Sequence, residues 1–264
     1  MMHPVLVSAL VATGTWESWR WYFARVATAP EEAAALLLIV LFLGAIGFVH
    51  GRPSIQPCPL PVYSIAGLLA LYAVTHAFVP PIVRAAGAAG LTLFCLHVAA
   101  FRRRPHIAFW ALVALALPVV PSLQFTLGYP MRVLSASLTI ALLQTHGFVV
   151  AREGTFILWR DDMVQFDAPC SGVNMLWAGL LLAMMGCTLL RFGPLQVLIA
   201  ALLSVVLVIA GNVLRAASLF YIEAGLVPRA PGWWHEGVGL VAFGLTAVAI
   251  LWCLARLRGR EVIA

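Results

Sequence analysis

Residues 195–215 read LQVLIAALLSVVLVIAGNVLR, and this stretch decides the class of fold. It contains one charged residue, Arg215, at its last position. As a helix it extends about 30 Å, which matches the hydrocarbon thickness of a bilayer. Because lipid offers the backbone no hydrogen-bond partners, such a segment must satisfy its amides internally, as a helix does. The stretch therefore predicts a transmembrane helix.

The rest of the chain has the same apolar character. Of its 264 residues, 63% are hydrophobic and 10% are charged, and the mean hydropathy is +1.00. A soluble domain carries about 25% charged residues, so this chain has too little charge to cover a surface that faces water. The composition excludes a soluble globular protein, a disordered chain and a disulfide scaffold. We expect an all-α fold, a polytopic transmembrane helical bundle of about seven to eight membrane helices.

Apolar runs recur along the whole chain, separated by short segments that contain Pro, Gly or Arg. The runs lie at 33–49, 62–80, 86–101, 107–122, 131–150, 172–190, 195–215 and 237–255. We expect a single integral membrane domain over residues 1–264, in which residues 1–30 form an interfacial N-terminal segment. Aromatic side chains surround Glu17 and Arg20 there, a composition typical of the membrane–water interface. The alternative is a further, poor span over residues 4–23.

All sixteen basic residues are arginines, and they cluster where apolar runs end. This placement is typical of topology signals rather than of a nucleic-acid interface, because positively charged loops tend to stay in the cytoplasm. Arginines at 102–104, at 191 and at 256–260 predict three cytoplasmic sites, the C-terminus among them. The outer ends of the last three runs then share the extracytoplasmic side.

This orientation creates a conflict at the fifth run. The end of the fourth run and the start of the sixth must both lie outside, yet one apolar run separates them. We expect that residues 131–147 do not span, because polar residues recur there at helical spacing. These polar residues are Arg132, Ser135, Thr139 and His146. The alternative is that the 107–122 run, which Pro118 and Pro121 interrupt, is re-entrant.

Residues 148–166 contain three short β-prone stretches separated by polar turns. The stretches are Phe148–Val150, Thr155–Trp159 and Met163–Phe166. Their alternation with turn residues predicts a small β-hairpin or meander on the extracytoplasmic surface.

Five cysteines without CxxC spacing indicate neither a disulfide framework nor a structural metal site. One of them, Cys170, lies in the sequence APCSG at 168–172, where the sixth run begins. The unpaired amides and the positive dipole of a helix start favour a thiolate, which makes Cys170 a candidate nucleophile. The alternative is a small residue that packs, and the nearby Asp167 opposes ionisation of the thiol.

Two further candidates lie at the outer ends of later runs. Asn212 and Arg215 are three residues apart and so share one helix face. An arginine inside a membrane usually marks a functional site, unless its side chain extends to the boundary, as Arg215 is placed to do. His235 begins the last run beside two tryptophans, where a histidine is either functional or a structural interfacial residue.

The candidates at 170, 215 and 235 lie at one depth on three different runs, so folding can bring their side chains together. The imidazole can ionise the thiol and later protonate a leaving amine. The guanidinium can stabilise a developing oxyanion without losing its charge. The set is complete for thiol-dependent acyl transfer.

These residues resemble the exosortase/archaeosortase family of multi-spanning membrane enzymes. The resemblance rests on APCSG at 168–172, on NVLR at 212–215 and on His235. It covers about residues 130–255, which we interpret as the catalytic core.

The resemblance implies a membrane cysteine protease or transpeptidase. Cys170 is then the nucleophile, His235 the acid and base, and Arg215 the oxyanion stabiliser, while Asn212 positions Arg215. Its partners are membrane-anchored proteins whose C-terminal sorting signal combines a short motif, an apolar span and a basic tail, of the kind called PEP-CTERM. Cleavage through a thioester would occur at the extracytoplasmic face of the cell inner membrane, with no cofactor, no metal and no nucleic acid.

Two other classes of function remain open from the residues alone. A small membrane transporter would line a polar path with Arg215, His146 and Glu223. A structural membrane assembly factor would dock its partners on the polar outer segment. Transporters usually hold such polar groups near the midplane in broken helices, whereas these candidates lie at one face, which favours surface chemistry.

Overall fold

The structure, a computed structural model, describes residues 4–50, 62–101, 106–160, 162–165, 171–227 and 233–259. Ten helices and three strands lie within these ranges. The helices are α1 (Pro4–Gly14), α2 (Trp16–Ala27), α3 (Pro30–His50), α4 (Val62–Thr75), α5 (Pro81–Phe101), α6 (Ile107–Ala116), α7 (Val120–Thr145), α8 (Val173–Leu190), α9 (Pro194–Glu223) and α10 (Trp234–Gly259). The strands are β1 (Val150–Glu153), β2 (Phe156–Trp159) and β3 (Asp162–Gln165). Helices α3 to α10 follow the apolar runs in order, which confirms the all-α polytopic fold.

Four of these helices, α7 to α10, are long and apolar enough to cross a membrane. Helices α2 and α3 are a fifth candidate if they count as one span that is bent by 117°. Helices α4 and α6 are apolar but have only 14 and 10 residues, and α5 counts as a shorter apolar helix over Pro81–Phe94. The expected set of about seven to eight membrane helices thus corresponds to four or five full spans and three shorter apolar helices.

Helix α7 contains most of the fifth run. It extends over 26 residues and is long and apolar enough to be a candidate span, so the expectation that residues 131–147 do not cross stays a prediction. Pro121 lies in its first turn, where a proline removes no intrahelical hydrogen bond. The preceding helix α6 has 10 residues and is about 15 Å long, half the thickness of a bilayer core. This agrees with the alternative in which the 107–122 run does not cross.

Two residues of the polar stripe of α7 are buried inside the protein. Ser135 and Thr139 are fully buried inside the protein instead of facing water. A helix can carry such residues across a membrane when they are buried against neighbouring helices. At these two positions, polarity at helical spacing marks a packed helix face.

The described residues pack into two compact units, Met1–Val119 and Val120–Ala264. The first unit contains α1 to α6, and the second contains α7 to α10 with the three strands. The expected catalytic core at 130–255 lies entirely within the second unit.

In the first unit, α1 and α2 are separate helices that meet at Thr15, so residues 4–23 do not form one continuous span. Helix α2 exposes Trp16 and buries Tyr22, whose hydroxyl donates to the carbonyl of Ala116 at 2.8 Å. Helix α2 therefore has the two unlike faces that an interfacial helix requires.

Helix α9 is the centre of the second unit, where it packs against α7, α8 and α10. Two glycines of α8 allow this close approach. A Cβ atom would lie 2.7 Å from Val208 of α9 if it were added at Gly179, and 2.5 Å from Leu254 of α10 if added at Gly186. A side chain at either position would require Val208 or Leu254 to shift.

The strands form a small antiparallel sheet in the order β1-β2-β3, a meander, which confirms the predicted β segment. The buried side chains of Val150, Ile157 and Trp159 share one hydrophobic cluster with Leu143 of α7 and Phe220 of α9. The sheet therefore covers one end of α9, directly beyond Arg215.

Candidate active site

The first turn of α8 follows the candidate nucleophile directly. Cys170 itself lies outside the described residues, and the described chain resumes at Ser171. The Ser171 hydroxyl accepts the Val173 amide proton at 3.3 Å and donates to Oε1 of Gln124 at 3.2 Å. Nε2 of Gln124 donates in turn to Oδ1 of Asn174 at 3.2 Å. One glutamine side chain of α7 thus links two residues beside the start of α8.

Gln124 was not among the sequence candidates. It lies between two apolar runs. The one signal in the sequence that could have indicated a functional role for Gln124 was a polar carboxamide in so apolar a chain. That signal does not identify a partner, because the contact depends on how α7 packs against α8.

Gly172 is the residue at which the α8 start meets α9. Its φ of 77° lies in the left-handed region that glycine adopts without strain. A Cβ atom at this position would lie 2.8 Å from Cγ and 2.9 Å from Nδ2 of Asn212. Both the backbone conformation and the close contact therefore require glycine, two residues after Cys170.

Asn212 also joins α9 to α7. Its Nδ2 donates to the hydroxyl of Ser135 at 2.9 Å, and the two residues are only 1% and 2% exposed. Because an amide buried without a partner is costly, this hydrogen bond stabilises the pairing of the two helices. Asn212 was expected to position Arg215, and the structure places it against Gly172 and Ser135.

Arg215, one turn beyond Asn212, packs against α10. A Cβ atom at Gly239 would lie 3.3 Å from Nε and 3.6 Å from Cζ of Arg215, so the missing side chain makes room for the guanidinium. The Nε atom is buried, while the residue as a whole is half-buried. Arg215 therefore lies between two helices.

His235 lies in the first turn of α10 and is exposed. Gly239 follows it by four residues, and residues four apart on a helix share a face. His235 is therefore on the same face of α10 as Gly239, and the Arg215 guanidinium of α9 packs on that face one turn after His235. Arg215 thus packs near the start of α10, where His235 lies. Asn212, one turn before Arg215 on α9, contacts Gly172, which follows Cys170 by two residues.

A groove of about 470 Å³ runs along α9 and α10, and we call it the α9–α10 groove. Arg215, Trp233 and Trp234 contribute to its lining, and most of the other lining residues are apolar. The two indole rings stack with centroids 5.8 Å apart. The groove therefore connects a guanidinium and two interfacial aromatic rings with the apolar surface of two membrane helices.

His146 lies apart from this groove, at the exposed end of α7, where its Nδ1 lies 2.7 Å from the hydroxyl of Tyr221. It does not line the α9–α10 groove with Arg215, as the transporter interpretation expected. Among the side chains that the structure describes, no group of three or more His, Cys, Asp or Glu residues is placed to hold a metal ion.

Comparison with known proteins gives one match. The sequence model of a family described as transmembrane exosortase matches residues 2–252. No curated protein and no solved structure matches the chain. The match includes Cys170, Asn212, Arg215 and His235 and extends well beyond residues 130–255, on which the sequence resemblance rested.

Proposed function

The chain belongs to the transmembrane exosortase family, and from this membership we propose that it is a membrane cysteine protease or transpeptidase. Its substrates would be exported proteins that end in a PEP-CTERM-like sorting signal. Cleavage would take place at the extracytoplasmic face of the cell inner membrane.

The proposed mechanism assigns one chemical step to each of three side chains. The Cys170 thiolate attacks the scissile carbonyl carbon, and the resulting tetrahedral oxyanion accepts hydrogen bonds from Arg215. His235 takes the thiol proton and gives it to the leaving amine as the C–N bond breaks. The thioester then transfers its acyl group to an amine or to water, and the thiol is restored.

One observation carries this proposal. The guanidinium of Arg215 lies on Gly239, one turn from His235, while Asn212 on the preceding turn of α9 contacts Gly172. The segment of α9 from Asn212 to Arg215 thus contacts both the start of α8 and the first turns of α10. An acid–base group, a cation and a nucleophile on these three segments would act on the same carbonyl.

The α9–α10 groove supports a substrate that contains a membrane span. Its lining is apolar away from Arg215, and it follows two membrane helices. An apolar segment lying along this groove would remain in lipid while its outer end meets the polar site. This arrangement fits a sorting signal in which the cleaved motif precedes an apolar span.

Mass spectrometry of one substrate tests the proposal. A host protein that ends in a motif, an apolar segment and a basic tail would be produced with the wild-type enzyme or with the Cys170→Ala variant. We expect a truncated product with the wild type and the intact protein with Cys170→Ala. Cys253→Ala is the matched control, because Cys253 is a free cysteine in α10 outside the proposed site.

Equal processing by Cys170→Ala and wild type would refute the proposed mechanism. A transporter or an assembly factor would largely keep its function in Cys170→Ala. Correct insertion of the variant, checked by protease protection, excludes loss of folding as the cause of lost processing.

A further inference from the structure

The backbone groups at the two edges of the small sheet differ in their hydrogen-bond partners. Strand β2 pairs with β1 and with β3, and two residues separate the flanking partners in each turn, Glu153 from Phe156 and Trp159 from Asp162. The first residue of each turn has a positive φ, 60° at Gly154 and 56° at Arg160, as in the primed turns of tight hairpins. Since the residues that flank such a turn exchange both hydrogen bonds, the turns fix the direction of every backbone group in the sheet.

Hydrogen-bonded pairs alternate with non-bonded pairs along each ladder. Counting from the two turns, Ile157 and Trp159 bond to β3, and the other two residues of β2 bond to β1. The backbone groups of Met163 and Gln165 on β3 therefore point away from the sheet. On β1, the outward-pointing groups include those of Val150.

An independent contact supports this assignment. Nε2 of Gln144, near the end of α7, donates to the carbonyl oxygen of Val150 at 3.2 Å. That oxygen can accept from α7 only if it points outward from β1. The contact also shows that a helix side chain bonds to the β1 edge at Val150.

The β3 edge is open within the part of the chain that the structure describes. Met163 is 66% exposed, and no described residue outside β2 bonds to the backbone of Met163 or Gln165. An edge strand with unpaired amides and carbonyls is a template for another extended segment. Natural proteins usually cover such an edge, and α7 contacts the β1 edge at Val150.

Packing and chain continuity both indicate that the open edge is close to the proposed site. The sheet packs on Ala216 and Ala217, the two residues of α9 that follow Arg215. The chain also reaches Cys170 five residues after Gln165, a distance of at most about 18 Å for an extended chain. The edge is therefore continuous along the chain with the candidate nucleophile.

We propose that the β3 edge binds the recognition segment of the substrate as a fourth, extended strand. The proposal rests on the proposed function, and it names how that site holds its substrate. Backbone hydrogen bonds to Met163 and Gln165 would supply affinity that does not depend on substrate side chains. They would also extend the peptide, so that its scissile carbonyl is accessible to the thiolate.

A scan of substrate backbone amides tests this pairing with the wild-type enzyme. The probes are synthetic peptides that contain the motif and apolar segment of the processed host protein, each with one motif amide N-methylated. Because every second amide of an added strand faces its partner, we expect loss of kcat/KM with a period of two, about tenfold at the affected positions. A uniform response along the peptide would overturn the proposal.

Two proline variants test the enzyme side. Met163→Pro removes an outward amide and leaves the ladder to β2 intact, whereas Met163→Ala keeps the amide. We expect about tenfold lower processing of the host protein by Met163→Pro than by Met163→Ala. Arg152→Pro is the matched control on β1, because the amide of Arg152 also points outward but on the edge that α7 contacts at Val150, and it should process the host protein normally.

The outcomes separate the two proposals. If Cys170→Ala processes the host protein as the wild type does, the proposed function fails and the pairing fails with it. If processing requires Cys170 but the N-methyl scan shows no alternation, only the pairing is refuted. Should Met163→Pro prove unfolded by its thermal unfolding midpoint, the N-methyl scan, which uses the wild-type enzyme, decides alone.

Discussion

At the scale of single residues, the site depends on glycines as much as on reactive side chains. Gly172 and Gly239 leave the space that Asn212 and Arg215 fill. The reactive types could be predicted from the sequence because thiol, guanidinium and imidazole chemistry is specific to Cys, Arg and His. The glycines could not be assigned, because a glycine in a helix or at its start has many uses.

Gly172→Ala is expected to lower both stability and turnover. The added Cβ would lie 2.8 Å from Cγ of Asn212, and alanine is strained at a φ of 77°. We expect a decrease of about 2 kcal/mol or more in the free energy of unfolding, measured by thermal unfolding in detergent together with substrate processing.

Gly225→Ala is the control for Gly172→Ala, because Gly225 has a φ of 68° and no atom within 4 Å of the added Cβ. It tests the backbone strain without the steric contact, so it should cost about 1 kcal/mol and leave processing unchanged. Equal effects of the two variants would contradict a specific contact with Asn212.

Arg215→Lys tests whether the guanidinium acts on the oxyanion. Lysine keeps the charge, but its ammonium is a compact point charge and lacks the planar set of donors. We expect kcat/KM to fall about 100-fold, as for the loss of one oxyanion donor. Arg152→Lys, an equally conservative change on exposed β1, should have little effect, and near-normal turnover by Arg215→Lys would remove the proposed role.

At the scale of elements, helix lengths and packing faces refine the expected topology. The apolar runs predicted helices α3 to α10, because burial in lipid requires an apolar segment of sufficient length. Helix α7 shows a limit of predicting topology from apolar runs. Its polar stripe is explained by Ser135 and its partner Asn212, which lie 77 positions apart in the sequence.

Cysteine labelling tests whether α7 crosses the membrane. Ser122→Cys and Val149→Cys would flank the helix in a background without native cysteines, and both positions are exposed. If α7 crosses, an impermeant thiol reagent should label only one of the two variants, Ser122→Cys or Val149→Cys, in intact spheroplasts. Labelling of both would show that α7 does not cross, and permeabilised cells give the control for reactivity.

At the scale of the whole molecule, the arginine distribution predicts the orientation of the chain. The last turn of α10 carries Arg256 and Arg258, whereas its first turn carries Glu236 and His235. Since positively charged ends stay in the cytoplasm, this polarity predicts a cytoplasmic C-terminus and an extracytoplasmic site.

The same labelling method tests this orientation. Glu236→Cys should react with an impermeant reagent in intact spheroplasts, and Arg258→Cys should react only after permeabilisation. The reverse labelling pattern would place the site on the cytoplasmic side. A cytoplasmic site would be inconsistent with the processing of exported proteins.

The sequence by itself determined that this chain is a bundle of membrane helices and which reactive residue types lie at their ends. It could do so because the requirements of lipid and the chemistry of side chains act locally. Only the tertiary structure decided that Asn212 lies on Gly172 and bonds Ser135, that Arg215 lies on Gly239, and that α7 contacts one sheet edge while no described residue pairs with the other. Such contacts depend on which helix faces pack together, and that choice is made by the close fit of segments far apart in the chain.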